Sequence, residues 1–443
     1  MADKWLWMSA GALGRGIAAG EIDPVDLATV YFSAIKAHPL RDRIYARLTE
    51  ARGMAEAEAA ALRAKAGTRR GPLDGVPVSW KDLFDTAGIA TEAGSAMLKG
   101  RVPDSDADVV ANATAMGLVG LGKTHMSELA FSGLGLNPVT ETPPCVNDPD
   151  AVPGGSSSGA AASVAFGLAP AGMGSDTGGS VRIPSAWNDL VGLKTTSGRL
   201  SLRGVVPLVA SFDTVGPLCR NVEDAALFLA ALEGRSRSAD LTGASLAGTR
   251  FLILENGYRD LRDAPRAGFE SAVERLRAAG AVVERAHIGV IDEALAMSAI
   301  LYTPEAYATW RDEIEAQPEL MFHEILERFR AGGRFSAADL VAAQQKLAQI
   351  RVEYHRLTAG YDAVILPSAA IMPPKAQKLL DDHDYYVTEN LLTLNNTRIG
   401  NLTGGAALTL PTGLPSTGIM FVGPPMSEER LLRIGAAAEA ALA

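Results

Sequence analysis

The sequence predicts an α/β protein built on a large mixed β-sheet covered on both faces by helices. Short apolar runs of strand length alternate with segments of helical period along most of the chain, and no repeat or low-complexity linker interrupts them. Composition agrees: with 47% hydrophobic and 21% charged residues over 443 positions, the chain can bury a large core and is neither disordered nor collagen-like. One large domain over 1–443 is expected, with a helical excursion over about 292–360.

In chain order, Asp23 before Pro24 marks a helix start, Leu27, Val30, Tyr31 and Ala34 share one face, and His38-Pro39 closes the segment. Residues 51–65, rich in Ala, Glu and Arg, read as a second helix, and residues 68–74 carry turn signals. Residues 76–80 form a short apolar strand with Lys81 immediately after it. Lys81 has two readings. It is either a solvated lysine at a sheet edge, or a lysine drawn into a site where burial lowers its pKa and makes the neutral amine a base.

Residues 106–116 read as a helix and 118–121 as a strand. Gly117 to Thr124, GLVGLGKT, matches the spacing of a phosphate-binding P-loop. Its context does not: a helix-like segment precedes Gly117 and the supposed loop is itself an apolar strand, so nucleotide binding is not expected. Residues 131–155 lack a period and are dense in Gly, Pro, Asn and Asp, the mark of a long loop with a functional role.

The stretch from Val152 to Pro184, VPGGSSSGAAASVAFGLAPAGMGSDTGGSVRIP, holds two glycine-serine clusters around an uncharged Ala-rich segment. Small residues let backbone approach a ligand closely, and consecutive glycines reach angles closed to other residues. Residues 158–166 read as a buried helix, 169–173 as a short strand and 180–187 as a helical turn. The intervening loop, 174–180, therefore points N–H groups at one spot. Serine hydroxyls and backbone donors are present; the base must come from elsewhere. Further strands are expected at 250–254, 281–286, 362–367, 407–410 and 418–422, and helices at 265–279, 340–357 and 428–442.

A net charge of −10 and the lack of a basic run argue against direct nucleic-acid binding. Cys145 and Cys219 have no CxxC spacing and read as buried small hydrophobes, and the six histidines, His125 among them as a loop hydrogen-bonder, show no metal spacing. The apolar run at the N-terminus is too short for a signal peptide, and no uncharged run of about 18 apolar residues reads as a membrane span. A reduced, cytoplasmic setting is expected, with neither membrane nor metal.

Residues 154–204, GGSSSGAAASVAFGLAPAGMGSDTGGSVRIPSAWNDLVGLKTTSGRLSLRG, together with Lys81 in PLDGVPVSWKD, are similar to the signature of the amidase signature family of serine hydrolases. The resemblance is strong over about 72–223 and looser from Asp362 onward. It implies the amidase signature fold, with Ser180 as nucleophile, Ser156, 24 positions earlier, as a bridging serine next to a non-proline cis peptide at Gly155-Ser156, and Lys81 as base. It also implies an oxyanion hole from the N–H groups of Thr177, Gly178, Gly179 and Ser180. Ser157, Asp176 and Arg182 would support the site, Asp176 by bonding loop amides and Arg182 by structure or by meeting a substrate carboxylate. The chemistry is coherent, because a serine hydroxyl is a poor nucleophile until a base takes its proton, and one oxyanion donor is worth about 3 kcal/mol.

The implied activity is hydrolysis of a carbon-nitrogen bond in a small-molecule amide through an acyl-enzyme, with no cofactor and with a homodimer possible. The same triad serves the glutaminase component of a tRNA-dependent amidotransferase, for which this chain is short. The pocket is expected from residues 126–133 and the region after Asp292. Amides, ureides, carbamates and hydrazides all remain open as substrates.

Overall fold

Residues 2–443 are described by the computed structural model. Eleven strands join into one mixed sheet: β1 Tyr45–Leu48, β2 Pro77–Lys81, β3 Val119–Thr124, β4 Ala171–Ser175, β5 Val191–Lys194, β6 Val215–Cys219, β7 Arg250–Leu254, β8 Val282–Ala286, β9 Ala363–Pro367, β10 Ala407–Pro411 and β11 Gly418–Val422. Their order is β1-β3-β2-β4-β6-β5-β10-β11-β9-β7-β8. β3, β2 and β4 run parallel, as do β9, β7 and β8, and the strands between them pair antiparallel.

Both faces are covered, and the strand sequences say why. Phe251, Ile253, Ala363, Ile365, Ile419 and Phe421 pack into the cluster that holds Phe269, Val273 and Leu276 of helix Asp263–Ala278. Their alternating neighbours Leu252, Leu254, Val364, Leu366, Met420 and Val422 enter a second cluster with Ile291, Tyr354 and Ile399. A strand buried on both faces needs a continuous apolar run, and RFLIL and AVILP supply it. Between β8 and β9 the chain leaves the sheet and forms helices Gly289–Ala296, Ser298–Ala316, His323–Arg330 and Ala337–Thr358. Among the described residues no helix is long and apolar enough to cross a membrane.

Three differences from the sequence expectation bear on the site. β2 extends through Lys81, which is fully buried, so the solvated-edge reading fails: β2 lies between β3 and β4. β3 runs on through Gly122, Lys123 and Thr124, and Lys123 is buried with Nζ donating to the carbonyl of Phe84 and to Thr91 Oγ1, so the P-loop match holds no loop. β4 is shifted to Ala171–Ser175, which brings Ser175 into the strand end. β5 and β6 give weak strand signals because glycine and proline sit inside VGLK and VGPLC, yet pairing inside the sheet overrides local preference.

Candidate active site

β2 and β4 are parallel neighbours, so their carboxyl ends open on the same edge of the sheet, where open α/β sheets place ligands. Lys81 is the last residue of β2 and Ser175 the last of β4. Lys81 Nζ donates to Ser156 Oγ at 2.7 Å and to Ser175 Oγ at 2.8 Å. Burial lowers the Lys81 pKa from its ordinary 10.5 to about 7, against the opposing pull of Asp213 and Asp176. A buried amine near neutrality can lose its proton and act as a base.

Ser156 follows a cis peptide bond from Gly155 and is fully buried. Its carbonyl accepts from the N–H of Ser127 at 3.2 Å, and the N–H of Gly155 donates to the carbonyl of Gly133 at 2.7 Å, so the long loop before it forms part of the site wall. Helix Ser158–Ala165 starts here and packs on β4. The close approach depends on Gly174, where an added Cβ would stand 2.6 Å from Ser157 Oγ. Ser157 ties the two glycine-serine loops together: its N–H donates to the carbonyl of Ser180 and its Oγ to the carbonyl of Ser175, both at 3.2 Å.

The loop after β4 is shaped by Asp176. Its carboxylate accepts from the N–H groups of Gly179 at 2.9 Å and Val181 at 3.1 Å, and from Arg182 through Nε at 3.0 Å and Nη2 at 2.8 Å. Burial alone would raise the Asp176 pKa, but the Arg182 charge and hydrogen bonds override it and hold the carboxyl well below its ordinary value. Arg182 is fully buried and donates in addition to the carbonyl of Thr397 at 2.7 Å and to Asn401 Oδ1 at 2.6 Å. All of its reach is spent inside the protein, so it does not meet a substrate.

Gly179 departs from the oxyanion expectation, because its N–H is turned to Asp176. Its φ of 140° is a glycine conformation, and an added Cβ would lie 2.1 Å from Thr397 Oγ1. The N–H groups of Thr177, Gly178 and Ser180 have no hydrogen-bond partner among the described residues. Thr177, Gly178 and Ser180 also line a narrow cavity of roughly 30 Å³, with Phe131, Ser132, Leu208 and Leu394 on its other walls. Ser180 Oγ makes no hydrogen bond to Ser156 here, and such contacts often tighten only with substrate bound.

Two contributors lie outside the sequence reading. Ser175 sits in the second glycine-serine cluster, and its place beside Lys81 becomes visible only when β4 is extended to it. Helix His383–Leu402 contributes Thr397 and Asn401, whose polar side chains give no apolar stripe; Thr397 Oγ1 donates to the carbonyl of Gly178 at 2.7 Å and Asn401 Nδ2 to Asp176 at 2.9 Å.

A desolvated lysine, serine hydroxyls in reach of it and unspent backbone donors facing one cavity are the equipment of an acyl-transfer site. A family model described as Amidase matches residues 29–432. The chain is 34% identical over 384 residues to a 2-amino-5-chloromuconic acid deaminase of Comamonas testosteroni, with 84% of this chain and 83% of the relative covered. It is also 34% identical over 472 residues to a glutamyl-tRNA(Gln) amidotransferase component of Anaeromyxobacter dehalogenans, with 96% and 94% covered. A crystal structure of an amidase matches at a TM-score of 0.87 and 30% identity, over 98% of this chain and all of its own. The chain belongs to the amidase family and is an amidohydrolase, acting on carbon-nitrogen bonds other than peptide bonds.

Proposed function

We propose that the chain hydrolyses an amide-type bond of a small molecule through a serine acyl-enzyme, with Ser180 as nucleophile, Ser156 as proton relay and Lys81 as base. The observation that carries this reading is the 2.7 Å contact between Lys81 Nζ and Ser156 Oγ, fully buried beneath the loop that bears Ser180. As Ser180 Oγ attacks the carbonyl carbon, its proton passes to the Ser156 hydroxyl, whose own proton goes to the neutral amine of Lys81. Hydroxyls can serve because each donates and accepts and turns freely. The oxyanion forms against the N–H groups of Thr177, Gly178 and Ser180. Collapse breaks the carbon-nitrogen bond, and the leaving amine takes its proton back along the same path. Water then attacks the acyl-enzyme with Lys81 again accepting a proton, which releases the acid and free Ser180. Ser175 holds Lys81 in place from the other side.

Ser180→Ala is expected to abolish turnover of a panel of amides, ureides and hydrazides while circular dichroism and the thermal midpoint stay close to wild type. Wild-type turnover by that variant would overturn the assignment.

A second reading, a glutaminase component that passes ammonia to a partner, is supported by the amidotransferase relative, of which the chain covers 94%, so length does not separate the two. Hydrolysis of simple amides by the purified chain alone favours the first reading. Glutamine hydrolysis that appears only with an added partner favours the second.

A further inference from the structure

The narrow cavity at Ser180 and a larger one of about 520 Å³ share three wall residues, Tyr302, Arg328 and Arg398. These come from helices Ser298–Ala316, His323–Arg330 and His383–Leu402, so the elements outside the sheet set what reaches the serine. Neither guanidinium forms an ion pair or donates a hydrogen bond among the described residues; Arg328 Nη1 is buried without a partner. Tyr302 OH and Ser298 Oγ are also buried and unpartnered, and both residues line the larger cavity. Arg328 rests on the face of Phe131, 4.5 Å from the ring centroid, and Tyr302 stacks on Phe212 at 4.5 Å, so the group is held by packing rather than by polar bonds.

Both arginines are half-buried with no carboxylate between them, Arg328 Nη1 fully so, and charges drawn even partly out of water are normally paired. Desolvation lowers the pKa of both, Arg328 to about 9, and the charge of Arg398 adds to the effect on Arg328. Arg182, two residues after Ser180 in the signature, already holds Asp176 and has nothing left to offer. Folding therefore leaves two guanidinium forks and the Tyr302 hydroxyl on the wall shared with the nucleophile's cavity, and the Ser298 hydroxyl on the larger cavity, with no acceptor among the described residues. The larger cavity is lined as well by Glu324 and Glu327 and by Arg334, His323 and His383, with Glu324 bonded to His383.

We propose that the substrate is an amide bearing a carboxylate, which Arg328 and Arg398 bind together with the hydroxyls of Tyr302 and Ser298 while the amide lies over Ser180. A planar carboxylate matches the guanidinium fork and accepts from several donors at once. The inference rests on the amide-hydrolysis reading for its orientation, but the binding claim can be tested apart from it.

The test pairs neutral amides with carboxylated counterparts: butanamide with succinamate, which places the carboxylate on the acyl side, and acetanilide with 4-acetamidobenzoate, which places it on the amine side. Wild type is expected to favour the carboxylated member of one pair by at least about a hundredfold in kcat/KM, most of it in KM. In Arg328→Gln and Arg398→Gln that ratio is expected to collapse toward one, with partial recovery in Arg398→Lys. Equal kcat/KM within both pairs, or a ratio unchanged in both Gln variants, overturns the inference. Titration of Ser180→Ala with succinamate and with 4-acetamidobenzoate separates the two readings: binding of either that disappears in the Ser180→Ala, Arg328→Gln double variant supports the carboxylate site even if no amide in the panel is hydrolysed, and binding of neither, or binding that survives in the double variant, sinks the site. Loss through misfolding is checked by the thermal midpoint, which is expected not to fall when an unpaired, half-buried charge is removed.

Discussion

Lys81 is the residue on which the proposed chemistry turns, and its setting makes a pH prediction. Burial puts its pKa at about 7, below the ordinary 10.5, and only the neutral amine can accept the Ser156 proton. The neutral fraction falls about tenfold for each pH unit below that value, so kcat/KM for an uncharged amide should sit on a plateau above roughly pH 8 and decline with unit slope below 7. A pH-rate profile measures it, and a flat profile from pH 5 to 8 would remove Lys81 as the base. Lys81→Met should lower kcat about ten-thousand-fold, the scale on which one member of a catalytic unit acts. Burial does not distinguish this lysine from Lys123 or Lys194, which are as deeply buried. The motif around it does, together with Ser156 at 75 positions' remove.

At the level of elements, the strand-loop-helix unit from β4 to helix Arg182–Trp187 is legible in the sequence because glycine clusters, an apolar strand and a helix start follow each other within a few residues. Helix His383–Leu402 is not: its buried face includes Asn390, Thr393, Asn396, Thr397 and Asn401, so the polar residues that would mark a surface face are turned inward to hold the loop. That helix is the clamp on Asp176 and Arg182. Asn401→Leu removes an acceptor from Arg182 Nη2 and a donor from Asp176 Oδ1, each deep in the protein. Asp176 Oδ1 keeps the donors Gly179 and Arg182, but one N–H of Arg182 Nη2 is left without an acceptor, which costs about 1–3 kcal/mol, so urea denaturation should show a loss of roughly 1 kcal/mol or more, with kcat reduced as the loop loosens. Asn395→Ala, on the same helix and bonded only to its neighbour Asn396, should stay within about 0.5 kcal/mol of wild type. Equal effects from the two would mean that the helix acts by bulk packing and not through this network.

Across the whole molecule, β2, β3, β4 and β5 run in the same direction, and three of them carry a buried lysine at the carboxyl edge: Lys81, Lys123 and Lys194. Only Lys81 meets serine hydroxyls at the site; Lys123 is held by Phe84 and Thr91, and Lys194 donates to the carbonyl of Thr195 at 2.8 Å. Desolvation lowers all three, Lys81 and Lys194 to about 7 and Lys123 to about 8. The unfolded chain keeps these protons up to the ordinary value of 10.5 while the folded chain has released them, so unfolding takes up protons in that window and stability rises with pH across it. Below about 7 both states are protonated, the full cost of the buried charge remains, and the slope from these groups vanishes. Lys194→Met isolates one of them without touching the proposed triad, and its carboxylate neighbours keep other partners: Asp176 has Arg182, and Glu428 has Arg199 at 2.6 Å. Wild-type unfolding free energy should therefore climb more steeply between pH 7 and 10 than that of Lys194→Met, by up to about 1.4 kcal/mol per pH unit for the one proton removed. Urea titrations at pH 6, 8 and 9.5 read the difference, and parallel curves across that range would mean that Lys194 stays protonated in the fold.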